Sequence, residues 1–355
     1  MKTFLQAVAQ HIISKYGYDL ARVAVVFPNK RASLFLNQQL ATLVDKPLWS
    51  PAYMTISELF RRHSTRQVAD PVKLVCLLHR SFTHITGMDE SLDHFYGWGQ
   101  ILLSDFDDID KQMADADHVL ANVSDLHQMD DDSFLSDQQR QALQRFFSNF
   151  PTNQQHSILK QRFLNFWKHM APIYHHFNQQ LQQQQLAYEG SLYREVASKT
   201  DTAFYYDHYL FVGFNVLSRV EQQLFTNLRR QGKAHFYWDF DHYYLNNHEA
   251  GHYIQQNMVL FPNELPTNHA DVYNCYSQPK QLQLVSAPTD DIQARYASSW
   301  LRQGTRIEDG RHTAIVMCDE ALLPTIIHCL PNQVSSVNVT TGYPLSQAPV
   351  ASLIP

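Results

Sequence analysis

The stretch NNHEAGH at 246–252 sets His248, Glu249 and His252 in the spacing H-E-x-x-H. On one helix face, two imidazoles four residues apart would hold zinc, and the glutamate would activate a metal-bound water, as in a metallopeptidase. Three features weigh against that chemistry. Asn246 and Asn247 are capping residue types, which would put His248 in a first helical turn rather than well inside a helix. The third-ligand candidates, Glu264 and Asp271, fall in a proline-bounded loop. With 19 histidines in 355 residues, a chance match arises in roughly a few per cent of such chains. No metal or other cofactor is expected in this chain, and the zinc peptidase stands as the alternative.

Phosphate chemistry would need G-x-x-x-x-G-K-[ST] directly after a buried strand, because glycines let backbone amides wrap the phosphates. The first apolar run is followed by FPNKRASLF, without a glycine. Gly232-Lys233 has no glycine five positions earlier and is followed by Ala234. ATP hydrolysis is not expected. Two acidic stretches, SDFDDIDK (Asp105, Asp107, Asp108, Asp110) and MDDDSF (acids at 130–132), carry carboxylates that a divalent metal would need. Both sit in helical or turn context, where solvated faces and caps account for them. WDFDHYY at 238–244 differs, because Asp239 and Asp241 leave a strand at the end where open parallel sheets carry functional groups. They are possible functional acids, with a structural role the plainer reading.

The elements that would position these residues follow from periodicity. Apolar residues at Phe4, Leu5, Val8, Ile12 and Ile13 give a helix over 3–16, and RVAVVFP at 22–28 reads as a strand buried on both faces. A helix over NKRASLFLNQQLATLV and a strand near 49–54 follow, then a capping box, Thr55 with Glu58, opening ISELFRRH. From 56 to 200 the pattern is helical throughout, with no strand expected and one long helix over 158–198. The glutamines at 179–185 read as its solvated face. Strands return at HYLFVGF (208–214) and AHFYWDF (234–240), separated by a helix capped by Ser218 and Glu221. After FPNELPTNH a second alternation begins, with strands at QLQLVSAP, HTAIVMC and SVNVTTG and helices between them. Strands alternating with helices mean a mostly parallel sheet. The expected plan is α/β over 1–55, a helical insertion over 56–200, α/β again over 201–280, and a second α/β domain beginning at 281.

Composition bounds the partners. Hydrophobic residues make up 44% and charged residues 17%, with a net charge of -6, so contact with a polyanion must be local. Cys76, Cys275, Cys318 and Cys329 form no C-x-x-C pair and read as reduced, mostly buried thiols of a cytosolic protein. No run reaches the roughly 18 apolar residues of a membrane span, and the N-terminus lacks the core of a signal peptide. A soluble, cytoplasmic protein is expected. The last segment, VNVTTGYPLSQAPVASLIP, reads as a strand, a turn and the start of something further, so the natural protein is expected to continue past Pro355.

Taken together, VVFPNKRASLFLNQQL, LDHFYGWGQILLSDFDDIDK, LAYEGSLYREV, LFVGFNVLSRVEQQLF, FYWDFDHYYLNN and NVTTGYPLSQAPVASL resemble the N-terminal, helicase-like part of a bacterial family related to the AddB and RecC subunits of double-strand-break resection machines. The resemblance covers essentially the whole chain. It implies a RecA-like (P-loop NTPase-like) domain split by a helical insertion and a second RecA-like domain from about 281. It also implies a PD-(D/E)XK exonuclease domain, with its Mg2+, outside this chain. The strand that would carry the metal-binding acids of a working motor ends here in Val212-Gly213-Phe214, so the resemblance implies a scaffold without motor chemistry. Its implied partners are DNA, held weakly and as a single strand, and an active helicase-nuclease subunit. Asn29, Lys30 and Arg31 after the first strand, and Thr340, Thr341, Gly342 and Tyr343 after a later one, are the expected DNA contacts.

Overall fold

The computed structural model describes residues 2–120, 168–245, 248–340, 342, 345 and 348–353, and its chain divides into two compact units, Met1–Gln278 and Pro279–Pro355. The first unit begins with α1 (Phe4–Tyr16), β1 (Val23–Phe27), α2 (Arg31–Leu43), β2 (Ala52–Thr55) and α3 (Ile56–Arg62). It continues through β3 (Gln67–Val68), α4 (Pro71–Thr86), α5 (Leu92–Lys111), α6 (Met170–Gln183), β4 (Leu186–Ala187) and α7 (Glu189–Ser198). β5 (His208–Val212), α8 (Arg219–Arg230), β6 (Ala234–Tyr237), α9 (His242–Leu245), α10 (His252–Leu260) and α11 (Ala270–Tyr273) complete it.

β2, β1, β5 and β6 form, in that order, a wholly parallel four-stranded sheet. The fold is α/β. Val25 lies opposite Tyr53 on one side and Leu210 on the other. All five residues of β1 are buried, because helices cover both faces of the sheet. Val23, Val25, Phe27, Leu210 and Tyr237 pack against α1 and α2, whereas Ala24, Val26, Phe211 and Phe236 face α3, α7 and α8. Both expected capping boxes form: the Thr55 amide donates to Glu58 at 2.8 Å and the Ser218 amide to Glu221 at 2.8 Å.

Between α3 and β5 lies a helical body with its own core, in which Leu78, Phe95, Phe106, Ile173 and Phe177 meet. Two expectations fail there. The long helix expected over 158–198 breaks after Gln183, where Gln185 takes a φ of 53°, and β4 pairs in parallel with β3 inside the segment read as strand-free. A two-residue strand is too short for apolar alternation to reveal it. Gln179 and Gln182 to Gln185 are exposed, in line with the solvated face expected. The acids of SDFDDIDK are not simply solvated. Asp110 is 1% exposed and accepts the hydroxyls of Tyr174 (2.6 Å) and Tyr188 and Nη1 of Arg194 (3.1 Å). Asp107 pairs with Lys111 at 2.7 Å and accepts the amide of Gly190. Gly190 is required, because a Cβ there would land on the Asp107 carbonyl. The stretches LLSDFDDIDK and LAYEGSLYREV thus fit one against the other. The acids at 130–132, residues 121–167 of the expected helical insertion and the capping residues Asn246 and Asn247 lie outside the described residues.

The second unit contains α12 (Asp290–Leu301) and α13 (Leu323–Cys329), which bury Ala294, Ser298, Leu301 and Leu323. The three strands expected here do not form among the described residues. Leu282, Leu284 and Val316 are exposed, Leu284 to 98%. Alternation favours extended chain, but a strand also needs a neighbour to take its amides and carbonyls, and these runs have no ladder partner. No helix is long and apolar enough to cross a membrane among the described residues.

Candidate functional site

Chain connections fix where a crevice can form. From β1 the chain moves by α2 to β2 on one side, whereas β5 flanks β1 on the other. The order of the sheet reverses between β1 and β5, and open parallel sheets hold ligands beyond the carboxyl ends of the strands at such a point. Three segments leave the sheet at this edge: Pro28 to Lys30 after β1, Gly213 to Leu217 after β5, and Trp238 to Asp241 after β6.

Asn29 ends the first segment and closes the start of α2. Its Oδ1 accepts the amides of Arg31 at 3.1 Å and Ala32 at 3.3 Å. Those amides are the donors that a phosphate would otherwise use at a helix N-terminus. Lys30 reaches across to Glu58, Nζ to Oε1 2.8 Å. The Lys30 contact, with the Thr55 amide, holds the Glu58 carboxyl below its ordinary range. Arg31 has no side-chain partner among the described residues. Of the three cations and amides expected to meet DNA here, one side chain caps, one is paired and one is available.

The second segment turns at Gly213, with φ 73°, a conformation that a side chain would strain. Asn215 and Val216 are exposed between the buried Phe214 and Leu217. Asn257 of α10 is buried and donates to the Asn215 carbonyl at 2.6 Å, fixing this loop. No carboxylate stands at the end of β5.

The third segment supplies acids and aromatic rings. Asp241 accepts the amides of Tyr243 at 3.0 Å and Tyr276 at 2.8 Å, so its role is to fix a turn. Asp239 follows the buried Trp238, and lost hydration pushes its carboxyl up to about 6 although the residue as a whole stays exposed. Phe240 stacks on Tyr273 with centroids 4.0 Å apart. Beyond them, Tyr243 stacks with His248 (4.7 Å) and leans on Tyr276 (4.5 Å), while Tyr244 meets Tyr276 at 4.9 Å. Tyr243 and Tyr276 are 43% and 44% exposed. This aromatic group was not anticipated; its signal is the pair of tyrosines directly after a parallel strand.

The H-E-x-x-H residues do not share a helix face. His248 has extended backbone, Glu249–Gly251 is a 3-10 turn, and α10 begins only at His252. The expectation of His248 in a first helical turn is corrected accordingly. Glycine is required at 251, since a Cβ there would collide with the carbonyl of Tyr244. His252 Nε2 lies 2.9 Å from Gln256 Nε2. Glu264 pairs instead with Lys15 (2.7 Å) and His235 (2.8 Å). Among the described residues no three His, Cys, Asp or Glu side chains converge as a metal site. Thr340 and Gly342 lie in irregular, exposed chain of the second unit, and Thr341 and Tyr343 lie outside the described residues.

The chain matches no model of a known protein family, and no curated protein matches it.

Proposed function

We propose that this chain is a catalytically silent, RecA-like scaffold that contacts single-stranded DNA, part of a helicase-nuclease protein acting in double-strand-break processing beside an active motor subunit. In this reading, residues 1–55 and 201–280 form one RecA-like domain split by the helical body, and a second begins at 281. The parallel sheet supports the first part. For the second, α12 and α13 support it and the unpaired strand runs do not.

The observation that carries the proposal is the edge beyond β1, β5 and β6. It combines an available arginine, Arg31, with exposed rings at Tyr243 and Tyr276, while Asn29 closes the amides that a nucleotide phosphate would need. Single-stranded nucleic acid is held by cations on phosphates and rings on bases. Anisotropy with a labelled thymidine oligomer tests it. Dissociation constants of roughly 10⁻⁴–10⁻⁶ M are expected at low salt, weakening as salt rises. Tyr243→Ala should cost about 1–3 kcal/mol if that ring stacks on a base. Absence of binding at low salt would leave a protein-binding scaffold as the better reading.

A further inference from the structure

At the opposite, amino-terminal edge of the sheet lies a group of ionisable side chains that the crevice does not use. His208 opens β5 and His235 is second in β6. Nδ1 of His208 is 3.1 Å from Nε2 of His235, and Nδ1 of His235 is 2.8 Å from Oε1 of Glu264. Lys15 of α1 donates to Oε2 of Glu264 at 2.7 Å and stands 3.4 Å from Nδ1 of His235. His11, one turn earlier, holds the Tyr237 hydroxyl at 2.9 Å. The Tyr16 ring lies 4.8 Å from that of His208, and its buried hydroxyl has no partner among the described residues. Asp207, paired with Arg22, and Lys233 complete the charges facing the group.

These contacts determine where the protons sit. Glu264, held ionised by His235 and Lys15, only accepts, so the proton of His235 is on Nδ1. Nδ1 of His208 and Nε2 of His235 then share one hydrogen, donated by one ring and accepted by the other. The contact survives as long as only one of these two facing nitrogens carries a hydrogen. Full protonation of both rings would set two N–H groups face to face and place two positive charges beside Lys15.

We propose that Glu264, His235 and His208 form an acid-released latch, which fastens α1 and segment 261–265 to the sheet and whose opening is transmitted to the aromatic wall of the crevice. The path is continuous. Segment 261–265 runs beside β6 through the bridge of Phe236 with Asn263, and the Glu264 amide donates to Phe236 at 2.8 Å. Asn263 accepts the Trp238 amide at 3.0 Å and donates to the Tyr273 hydroxyl at 3.0 Å. Tyr273 is the ring stacked on Phe240.

The sign follows from the ionisations. Burial, with His235 and then Lys15 beside it, holds His208 below its ordinary 6.5, against an opposing pull from Asp207. An unfolded or opened chain therefore takes the proton first, and stability present above 6.5 is lost as pH falls below it. Glu264, at about 2 in the fold against an ordinary 4.5, is ionised in the folded and the opened chain alike above 4.5. Opening belongs between those two ordinary values, with Glu264 still charged.

The latch does not depend on the DNA reading and is tested without DNA. Hydrogen exchange on the intact chain, corrected for the intrinsic effect of pH, should show protection at 261–265 falling by roughly tenfold or more between pH 7.5 and 5, with β1 and β5 unchanged. His208→Gln and His235→Gln, which cannot ionise, should flatten that response. Flat protection in the wild type, or an undiminished fall in both variants, would overturn the latch. Should a variant not fold, imidazole titration by NMR in the wild type decides. Coupled uptake is expected, with the second proton accompanying opening, and two independent titrations refute the latch.

Discussion

Replacing Asp110 with alanine should destabilise the helical body strongly, and the structure bounds by how much. The carboxylate is 1% exposed and takes three donors, from Tyr174, Tyr188 and Arg194. Removing it takes the acceptor from two hydroxyls whose tyrosines are buried, leaving that of Tyr188 only the Asn178 amide that donates to it. Breaking a buried charged pair from one side costs about 3–5 kcal/mol, because the remaining partner keeps its desolvation penalty. Arg194 moderates this figure: its side chain is 33% exposed, and Nη1 keeps the Ala114 carbonyl at 2.8 Å. A loss of about 3 kcal/mol is therefore expected. Arg194→Met should cost at least as much, since it leaves the buried carboxylate without its cation although both hydroxyls stay on it. The protein has two units, so global unfolding need not be two-state, and hydrogen exchange of α5 and α6 amides reads the helical body directly. A double-mutant cycle of Asp110 with Arg194 should give a coupling of about 1 kcal/mol or more. A loss below about 1 kcal/mol for Asp110→Ala would refute the reasoning, because it would mean that the carboxylate is hydrated.

Gly190→Ala should also destabilise, by about 1–3 kcal/mol, since the added carbon meets the Asp107 backbone rather than a movable side chain; the thermal midpoint would register it. Asp239→Asn should stabilise at pH 7. Its folded carboxyl, at about 6 against an ordinary 3.8, favours the fold below 3.8 and loses that contribution as pH rises through 6, so the variant's stability should be flatter across this interval in urea titrations. Glu264→Gln should act in the opposite range, removing the part of acid unfolding in which stability is lost from pH 4.5 down towards 2. Millimolar ATP should leave the melting temperature unchanged, because stabilisation requires a site in the folded chain and Asn29 already occupies the α2 amides.

Local sequence determined what local chemistry can determine. Five apolar residues in β1 demanded burial on both faces and therefore a parallel sheet between helices. Thr55 with Glu58, and Ser218 with Glu221, fixed two helix starts, since a capping box lies within four residues. The absence of glycine after β1 was likewise readable. Tertiary structure decided whatever depends on a distant neighbour. QLQLVSAP and HTAIVMC have the composition of strands yet find no ladder partner among the described residues, because pairing belongs to two segments and not to one. H-E-x-x-H has the spacing of a zinc helix, but His248 is extended and the helix begins only at His252. Asp110 and Asp107 looked like solvated acids; α6 and α7, from beyond residue 168, turned one into a buried acceptor and the other into a seat for Gly190. His11, His208, His235 and Glu264 carry no shared signal along the chain. Only the parallel alignment of β5 and β6, with α1 on one face, brings them to a single edge.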